Sequence, residues 1–93
     1  MQPVQSFAPA VLAAVIRRQP ASPARTAFAW SIAAGPAMAR AASVDARDGV
    51  LVITPKDARW SREIERSSAT ILARVQLLLG PDEVTSLRIC VKP

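Results

Sequence analysis

The stretch from Asp57 to Leu79 constrains the fold most, because its apolar residues recur at the spacing of an α-helix. Asp57 can accept the first free amide protons of this helix, and the Gly80-Pro81 pair can end it. The apolar side is a stripe about 60° wide on the helical wheel, formed by Trp60, Ile64, Ile71, Val75 and Leu78. The sequence therefore predicts one long, unbroken helix with a buried face.

A second stripe on the same helix is basic. Arg59, Arg62 and Arg66 follow one another at i, i+3 and i+7, which places them on one side of the helix. They are the first candidates for contact with nucleic-acid phosphates. A solvated face fits the same pattern, because Glu63 stands close enough in sequence to pair with Arg59 or Arg66.

Leu77 falls near the same side of the helix as these arginines. An exposed leucine beside basic residues suits a protein partner better than a phosphate backbone. We therefore take Leu77 and Arg74 as candidate partner-binding residues. Trp60 could stack on a base, but its position among the apolar residues favours the core.

Length and charge narrow the class of protein. The chain has 93 residues, enough for one domain, and carries a net charge of +5 with a pI near 11.1. Ten of its twelve basic residues are arginine, whose planar fork pairs well with phosphate. This balance is consistent with a nucleic-acid-binding protein, and equally with a soluble protein encoded by a GC-rich genome.

The chain lacks the side chains on which most enzymes and metal sites depend. It has no histidine, and Cys90 is its only cysteine, which excludes an internal disulfide and a zinc site of Cys and His ligands. Neither Ser67 nor Ser68 has a base at helical spacing, so neither is a credible nucleophile. We expect no catalysis, no cofactor and no metal. Without a secretory pattern or a long apolar run, we also expect a cytoplasmic protein with no membrane contact.

Two shorter helices are predicted before the long one. Ser6 can cap the first, which runs to about Arg18 with an apolar stripe of Val11, Leu12, Val15 and Ile16. Arg17 and Arg18 in its last turn either complement the helix dipole or contact phosphate. Ser22-Pro23 starts the second helix, which carries Phe28, Ile32 and Trp30, with Trp30 assigned to the core. Gly35-Pro36 predicts an end or a kink, after which a helical turn can resume to Arg40.

The apolar pattern then changes to the period of a β-strand. Residues 42–47 alternate between apolar and polar, and Asp48-Gly49 predicts a tight hairpin turn. Val50–Ile53 is apolar on both faces, so this strand is covered from both sides or uses its second face for a partner. A third strand alternates through Leu87, Ile89 and Val91. Because a helix connects the second and third strands, at least one pair of strands should be parallel.

Several motifs along this order resemble those of DciA-type proteins. The first is Trp30-Ser-Ile-Ala-Ala-Gly35, which resembles a Trp-x-x-Ile-x-Gly signature. After it come the Gly-containing hairpin turn at Asp48-Gly49, a tryptophan near the start of a long helix at Trp60, and a Leu-Leu-Gly ending at Leu78-Leu79-Gly80. A closing strand is formed by Val84, Leu87, Arg88 and Ile89. The resemblance covers roughly residues 24–91.

The resemblance implies a KH-like α+β domain of order α-α-β-β-α-β, with a three-stranded mixed sheet and one long helix packed on it. We assign this domain to residues 24–93 and treat residues 1–23 as a tail with the first helix. The resemblance also implies a non-enzymatic protein that binds the replicative DNA helicase and assists its loading. It implies weak binding to DNA, including DNA in single-stranded form. With no glycine between Gly49 and Gly80, the Gly-x-x-Gly clamp of RNA-binding KH domains is missing.

Two other functions stay open at this point. A stand-alone nucleic-acid-binding module would act through the basic surface of Arg59, Arg62 and Arg66, with Arg17 and Arg18 as further candidates. A relative that has kept only a homodimer interface would use the doubly apolar strand Val50–Ile53.

Overall fold

The computed structural model describes residues 9–91, with the backbone alone at positions 9, 10 and 12. The cap predicted at Ser6 lies outside the described residues. Five helices and three strands follow one another along the chain: α1 (Pro9–Arg18), α2 (Pro23–Ala34), α3 (Pro36–Arg40), β1 (Ala42–Arg47), β2 (Val50–Pro55), α4 (Ala58–Arg66), α5 (Ser68–Leu79) and β3 (Ser86–Ile89).

The three strands form one mixed sheet in the order β1-β2-β3, as predicted. β1 and β2 are antiparallel and are joined by Asp48 and Gly49, whose φ angles of 50° and 82° are those of the predicted tight hairpin turn. β2 and β3 are parallel, because α4 and α5 carry the chain back across the sheet between them. β2 is therefore the central strand.

The helices cover one face of this sheet. Leu51 and Ile53 of β2 point into the core, beside Leu87 and Ile89 of β3. α2 packs against β1, α4 against β2 and α5 against β3, and α1 lies outside them on α5. The buried cluster contains five residues predicted to lie in the core: Trp30, Ile64, Ile71, Val75 and Leu78.

The predicted long helix is wrong in one respect, because the chain breaks it at Ser67. The N–H of Ser67 lies 3.2 Å from the carbonyl oxygen of Glu63 and 3.1 Å from that of Ile64, so the hydrogen-bond register changes there. The backbone of Ser67, at φ −99° and ψ 7°, is in the sparsely populated bridge region. Adjacent serines are a common cause of such breaks, since their hydroxyls compete for backbone partners.

The helix boundaries that depend on capping residues are confirmed. The Ser22 hydroxyl accepts the N–H of Arg25 at 3.1 Å, with Pro23 in the first turn of α2. α2 ends at Gly35, whose φ of 89° is costly for any other residue, and Pro36 starts the short α3. The Asp57 carboxylate accepts the N–H of Trp60 at 3.0 Å and so caps α4.

Three predictions of burial are wrong. Val11 and Val15, members of the predicted apolar stripe, are exposed because α1 rests on α5 through Ala13 and Ile16. Ile16, from the same stripe, is buried as predicted. The third residue is Trp60, which is only half-buried in the first turn of α4, outside the core cluster. Phe28 is exposed on the outer side of α2, while Trp30 faces inward. Leu12 lies outside the described side chains.

The third strand is also shorter than predicted. It ends at Ile89, and Val91 is exposed beyond it. The N–H of Cys90 still donates to the carbonyl oxygen of Ile53 at 2.8 Å, which continues the pairing with β2 by one further bond.

A buried arginine ties the N-terminal helices to the loop before β3. Arg25 forms an ion pair with Glu83, and its side chain is 7% exposed against 35% for that of Glu83. The same guanidinium donates to the carbonyl oxygen of Gln19 at 3.3 Å. The linker before α2, α2 itself and the distant loop before β3 therefore meet at one charged group, which burial makes costly to leave unpaired.

We predict that Glu83→Ala lowers the free energy of unfolding by about 1–3 kcal/mol, because it strands the buried charge of Arg25. In the double variant that combines Glu83→Ala with Arg25→Leu, the loss of unfolding free energy should be smaller than the sum of the two single losses by at least about 0.5 kcal/mol. Urea unfolding of the four proteins measures this coupling. The exposed pair of Glu63 and Arg66, at 3.0 Å, is the control, with an expected coupling of about 0.2–0.5 kcal/mol. Equal coupling in the two pairs would contradict a structural role for Arg25.

Candidate nucleic-acid and partner surfaces

The three arginines predicted as a basic stripe lie together on α4, but they differ in their partners. Arg66 donates to a carboxylate oxygen of Glu63 at 3.0 Å, which neutralises much of its charge. Arg59 and Arg62 are exposed and form no hydrogen bond or ion pair with the described residues. Of the two arginines that could pair with Glu63, Arg66 therefore does so and Arg59 does not. Arg59 and Arg62 are open to solvent.

Two further cations, Arg40 and Lys56, extend this charged region, and the sequence pattern did not single them out as site residues. Arg40 ends α3 and Lys56 follows β2, and both line a groove of about 350 Å³ at the open end of the hairpin. The pairing of Ala42 with Pro55 brings them together, because residues just before β1 and just after β2 must then be neighbours. The hairpin turn predicted at Asp48-Gly49 could have identified them, because counting the paired residues outward from the turn makes the residues around Arg40 and Lys56 neighbours at the open end.

We group four exposed cations of these neighbouring segments as the basic arc: Arg40, Lys56, Arg59 and Arg62. Lys56 and Arg59 are three residues apart, so their Cα atoms are separated by at most about 11 Å. Arg59 and Arg62 are neighbours on the helix surface. The carboxylate of Asp57 lies within the same segment, where it caps α4 and keeps its negative charge. The arc therefore combines four cations with one anion and has a positive balance.

The N-terminal arginines have different surroundings. A terminal nitrogen of Arg17 donates to the carbonyl oxygens of Leu77, at 2.9 Å, and Gln76, at 3.3 Å. These carbonyls lie at the C-terminus of α5, where a cation complements the helix dipole. Arg17 thus complements the dipole of α5, whereas the sequence pattern pointed to that of its own helix. Arg18 is exposed, with no hydrogen bond to the described residues.

The two candidate partner-binding residues on α5 also separate. Arg74 donates to the carbonyl oxygen of Ala33 at 3.1 Å and so joins α5 to the end of α2. Leu77 projects from the outer side of α5, next to the Arg17 contact. Of the two, only Leu77 offers a largely free side chain.

The exposed apolar residues of α1 and α2 form a second surface, which we call the helical apolar patch: Val11, Val15 and Phe28. Val15 and Phe28 line the same pocket of about 150 Å³ between the two helices. Val11 lies one helical turn from Val15. The ion pair of Arg25 stands at the edge of this pocket, since Arg25 also lines it.

The sheet face away from the helices is a third surface. It is a shallow depression of about 770 Å³ lined by residues of the strands and of the hairpin turn. Val50 and Val52 lie at its centre. At its edge the Nε of Arg47 donates to Asp45 at 2.6 Å, and this hydrogen bond, together with the carboxylate charge, raises the pKa of Arg47 above its ordinary value.

Two kinds of site are not found in the described part of the chain. Within residues 9–91, no three His, Cys, Asp or Glu residues come close enough to hold a metal ion. None of the helices in that range has the length and apolar character needed to span a membrane.

A one-sided α+β sandwich with a free basic surface and a free apolar surface is suited to holding other macromolecules. The comparison with protein families agrees with this class. The model of the family described as "Dna[CI] antecedent, DciA" matches residues 3–89, and the chain belongs to this DciA family. No curated protein gave a match to the chain. The family is associated with the replicative helicase and is not a known enzyme family, so membership indicates a role related to helicase loading.

Proposed function

We propose that this protein is a non-enzymatic accessory factor that binds the replicative DNA helicase and assists its loading on DNA in the cytoplasm. The helicase contact is made by the helical apolar patch, and the exposed Leu77 of α5 is a separate candidate contact. DNA, in single-stranded form, contacts the basic arc. The protein acts by using binding energy to hold the helicase and DNA together.

The observation that carries the proposal is the exposure of large apolar side chains on the helices. The exposed fractions are 66% for Val11, 50% for Val15, 51% for Phe28 and 49% for Leu77. Clustered exposed apolar residues are typical of protein interfaces, and an aromatic side chain beside a pocket is a frequent anchor. A volume of about 150 Å³ accepts one benzene-sized or aliphatic group from a partner.

The contact with DNA is supported by charge and by position. Each cation of the basic arc that meets a phosphate releases condensed counterions, which favours binding at low salt. Trp60, between Arg59 and Arg62 in sequence, is half-buried, and we include the exposed part of its indole as a candidate stacking surface. The arc and the helical apolar patch share no residue, so either surface can be altered alone.

The proposal includes a KH-like relationship for the fold. It is supported by the hairpin, the helical crossover and the parallel third strand, although the observed order has the extra short helix α3 and two helices, α4 and α5, in place of one long helix. The junction between α4 and α5 at Ser67 contains no glycine, so we propose no clamp of the RNA-binding KH type.

A second candidate function is a nucleic-acid-binding module that acts without the helicase. The four open cations of the basic arc favour it. It predicts that DNA affinity alone accounts for any association with the helicase, and that this association falls steeply as salt rises.

We predict that Phe28→Glu weakens helicase binding at least tenfold, because it removes the aromatic anchor and places a charge that must be desolvated in an apolar contact. The matched control is Ala27→Glu, which adds the same charge at an exposed position one residue away on α2. Titration of the helicase into each protein, with interferometry or calorimetry, measures the affinity. Equal affinities for the two variants would remove the helical apolar patch from the interface.

We predict that replacing both Arg59 and Arg62 with alanine reduces the salt slope of single-stranded DNA binding by about 1.4, at about 0.7 for each phosphate that is no longer neutralised. Arg66→Ala should change the slope less than either single replacement, since Glu63 already pairs with that arginine. Fluorescence anisotropy of a labelled oligonucleotide at several salt concentrations gives the slopes. An unchanged slope in the double variant would exclude the arc as the DNA site.

A further inference from the structure

The outward face of the sheet has a regular arrangement of side chains. The strand register places its residues in rows across β1, β2 and β3. The central row is Asp45, Val52 and Arg88, and the row nearer the hairpin turn is Arg47, Val50 and Ser86. A third row begins with Ser43 and Thr54 and is continued by Cys90 just beyond β3. Each row therefore has an apolar or hydroxyl centre on β2 and polar ends.

The central row is charged in opposite senses at its two ends. Asp45 on β1 is acidic and Arg88 on β3 is basic, with Val52 between them. Neighbouring strands are about 4.8 Å apart, so the two charged residues are about 10 Å apart across the row. Arg88 forms no ion pair with the described residues, and one carboxylate oxygen of Asp45 is bound by Arg47. The row thus has an open cation at one end and an incompletely used carboxylate at the other.

Such a row is complementary to itself under one symmetry operation. A two-fold axis parallel to β2 and above the sheet places β1 of one copy over β3 of the other. Asp45 then faces Arg88 of the second copy, and Arg88 faces Asp45 of the second copy. Val50 and Val52 meet their own equivalents at the centre. A two-fold axis perpendicular to the strands instead places β3 on β3, where Arg88 meets no carboxylate.

We propose that the outward sheet face is a self-association surface that binds a second copy of this chain. The two sheets pack face to face, about 10 Å apart and within about 30° of alignment, as in β-sandwiches. The interface has an apolar centre of Val50 and Val52 and two symmetric ion pairs between Asp45 and Arg88. This arrangement buries the second apolar face of β2, which the described helices leave uncovered.

The size of the surface determines how tight this dimer is. Three strands by about three rows give a surface of about 15 by 20 Å, or roughly 300 Å² for each copy. The total is below the roughly 1,200 Å² that stable complexes bury, so the interface belongs to the weak, transient class. The affinity is therefore weaker than about 1 μM, and the dimer forms at high local concentration.

The test uses two charge-reversed variants of the full chain, Asp45→Lys and Arg88→Glu. Each variant alone repels its own copy at both ion pairs, so each should stay monomeric at concentrations where the parent protein dimerises. In an equimolar mixture both ion pairs re-form: the two substituted positions face each other with their charges exchanged, and the unchanged Arg88 of one variant faces the unchanged Asp45 of the other. The mixture should therefore recover the parent's dimer fraction in sedimentation equilibrium. Thr70→Lys on the exposed side of α5 is the control and should dimerise like the parent.

A second measurement does not depend on any variant being folded. Backbone amide signals of the parent protein are followed by NMR from about 10 μM to 1 mM, a range chosen to bracket an affinity weaker than about 1 μM. The proposal predicts concentration-dependent shifts at Val50, Val52 and Arg88, with little change at Phe28. A parent protein that is monomeric throughout, shifts confined to α1 and α2, or a mixture that fails to dimerise would each overturn it. Loss of helicase binding in Asp45→Lys, with no effect on self-association, would assign the face to the helicase instead.

Discussion

The structure depends on the one-sided burial of its central strand. Leu51 and Ile53 of β2 are fully buried against α4 and α5, while Val50 and Val52 on the other side meet no helix within the described residues. Apolar burial is the main driving force for folding. α4 and α5 connect β2 to the parallel strand β3, and they help to cover the inner face of the sheet. The described helices leave the outward face uncovered.

Short-range signals predicted the order of elements well. Ser22-Pro23, Gly35-Pro36, Asp48-Gly49 and Asp57 each determine local backbone geometry through one side chain or one φ angle, so their effect can be derived without knowing the fold. Burial was predicted less well, because it depends on which neighbour a helix meets. Val15 and Phe28 have apolar side chains in helical register, but α1 meets α5 through Ala13 and Ile16, and this tertiary choice has no local signal. The break at Ser67 has a weak signal in the paired serines, which the strong apolar period on either side concealed.

The candidate binding residues divide in the same way, into those whose position follows from local sequence signals and those whose position depends on tertiary contacts. The exposure of Arg59, Arg62 and Leu77 agrees with their helical spacing, and their role in binding stays a prediction. Arg40 and Lys56 are neighbours only because of the strand register, and the exposed Arg17 has its guanidinium bonded to the carbonyl oxygens that end α5. Three surfaces result, one basic, one apolar on the helices and one on the outward sheet face. The three surfaces share no residue, so the proposed contacts with a helicase, with DNA and with a second copy can each be tested by substitutions that leave the other two surfaces intact.

The most direct measurement is retention of the purified replicative helicase by the immobilised full chain, before and after nuclease treatment. A direct helicase partner predicts that retention is saturable, survives nuclease and persists at moderate salt, because apolar contacts are little screened. Retention that disappears after nuclease would contradict the account, since nucleic acid would then be the bridge. The absence of retention under both conditions would contradict it as well, and would leave self-association as the activity to examine.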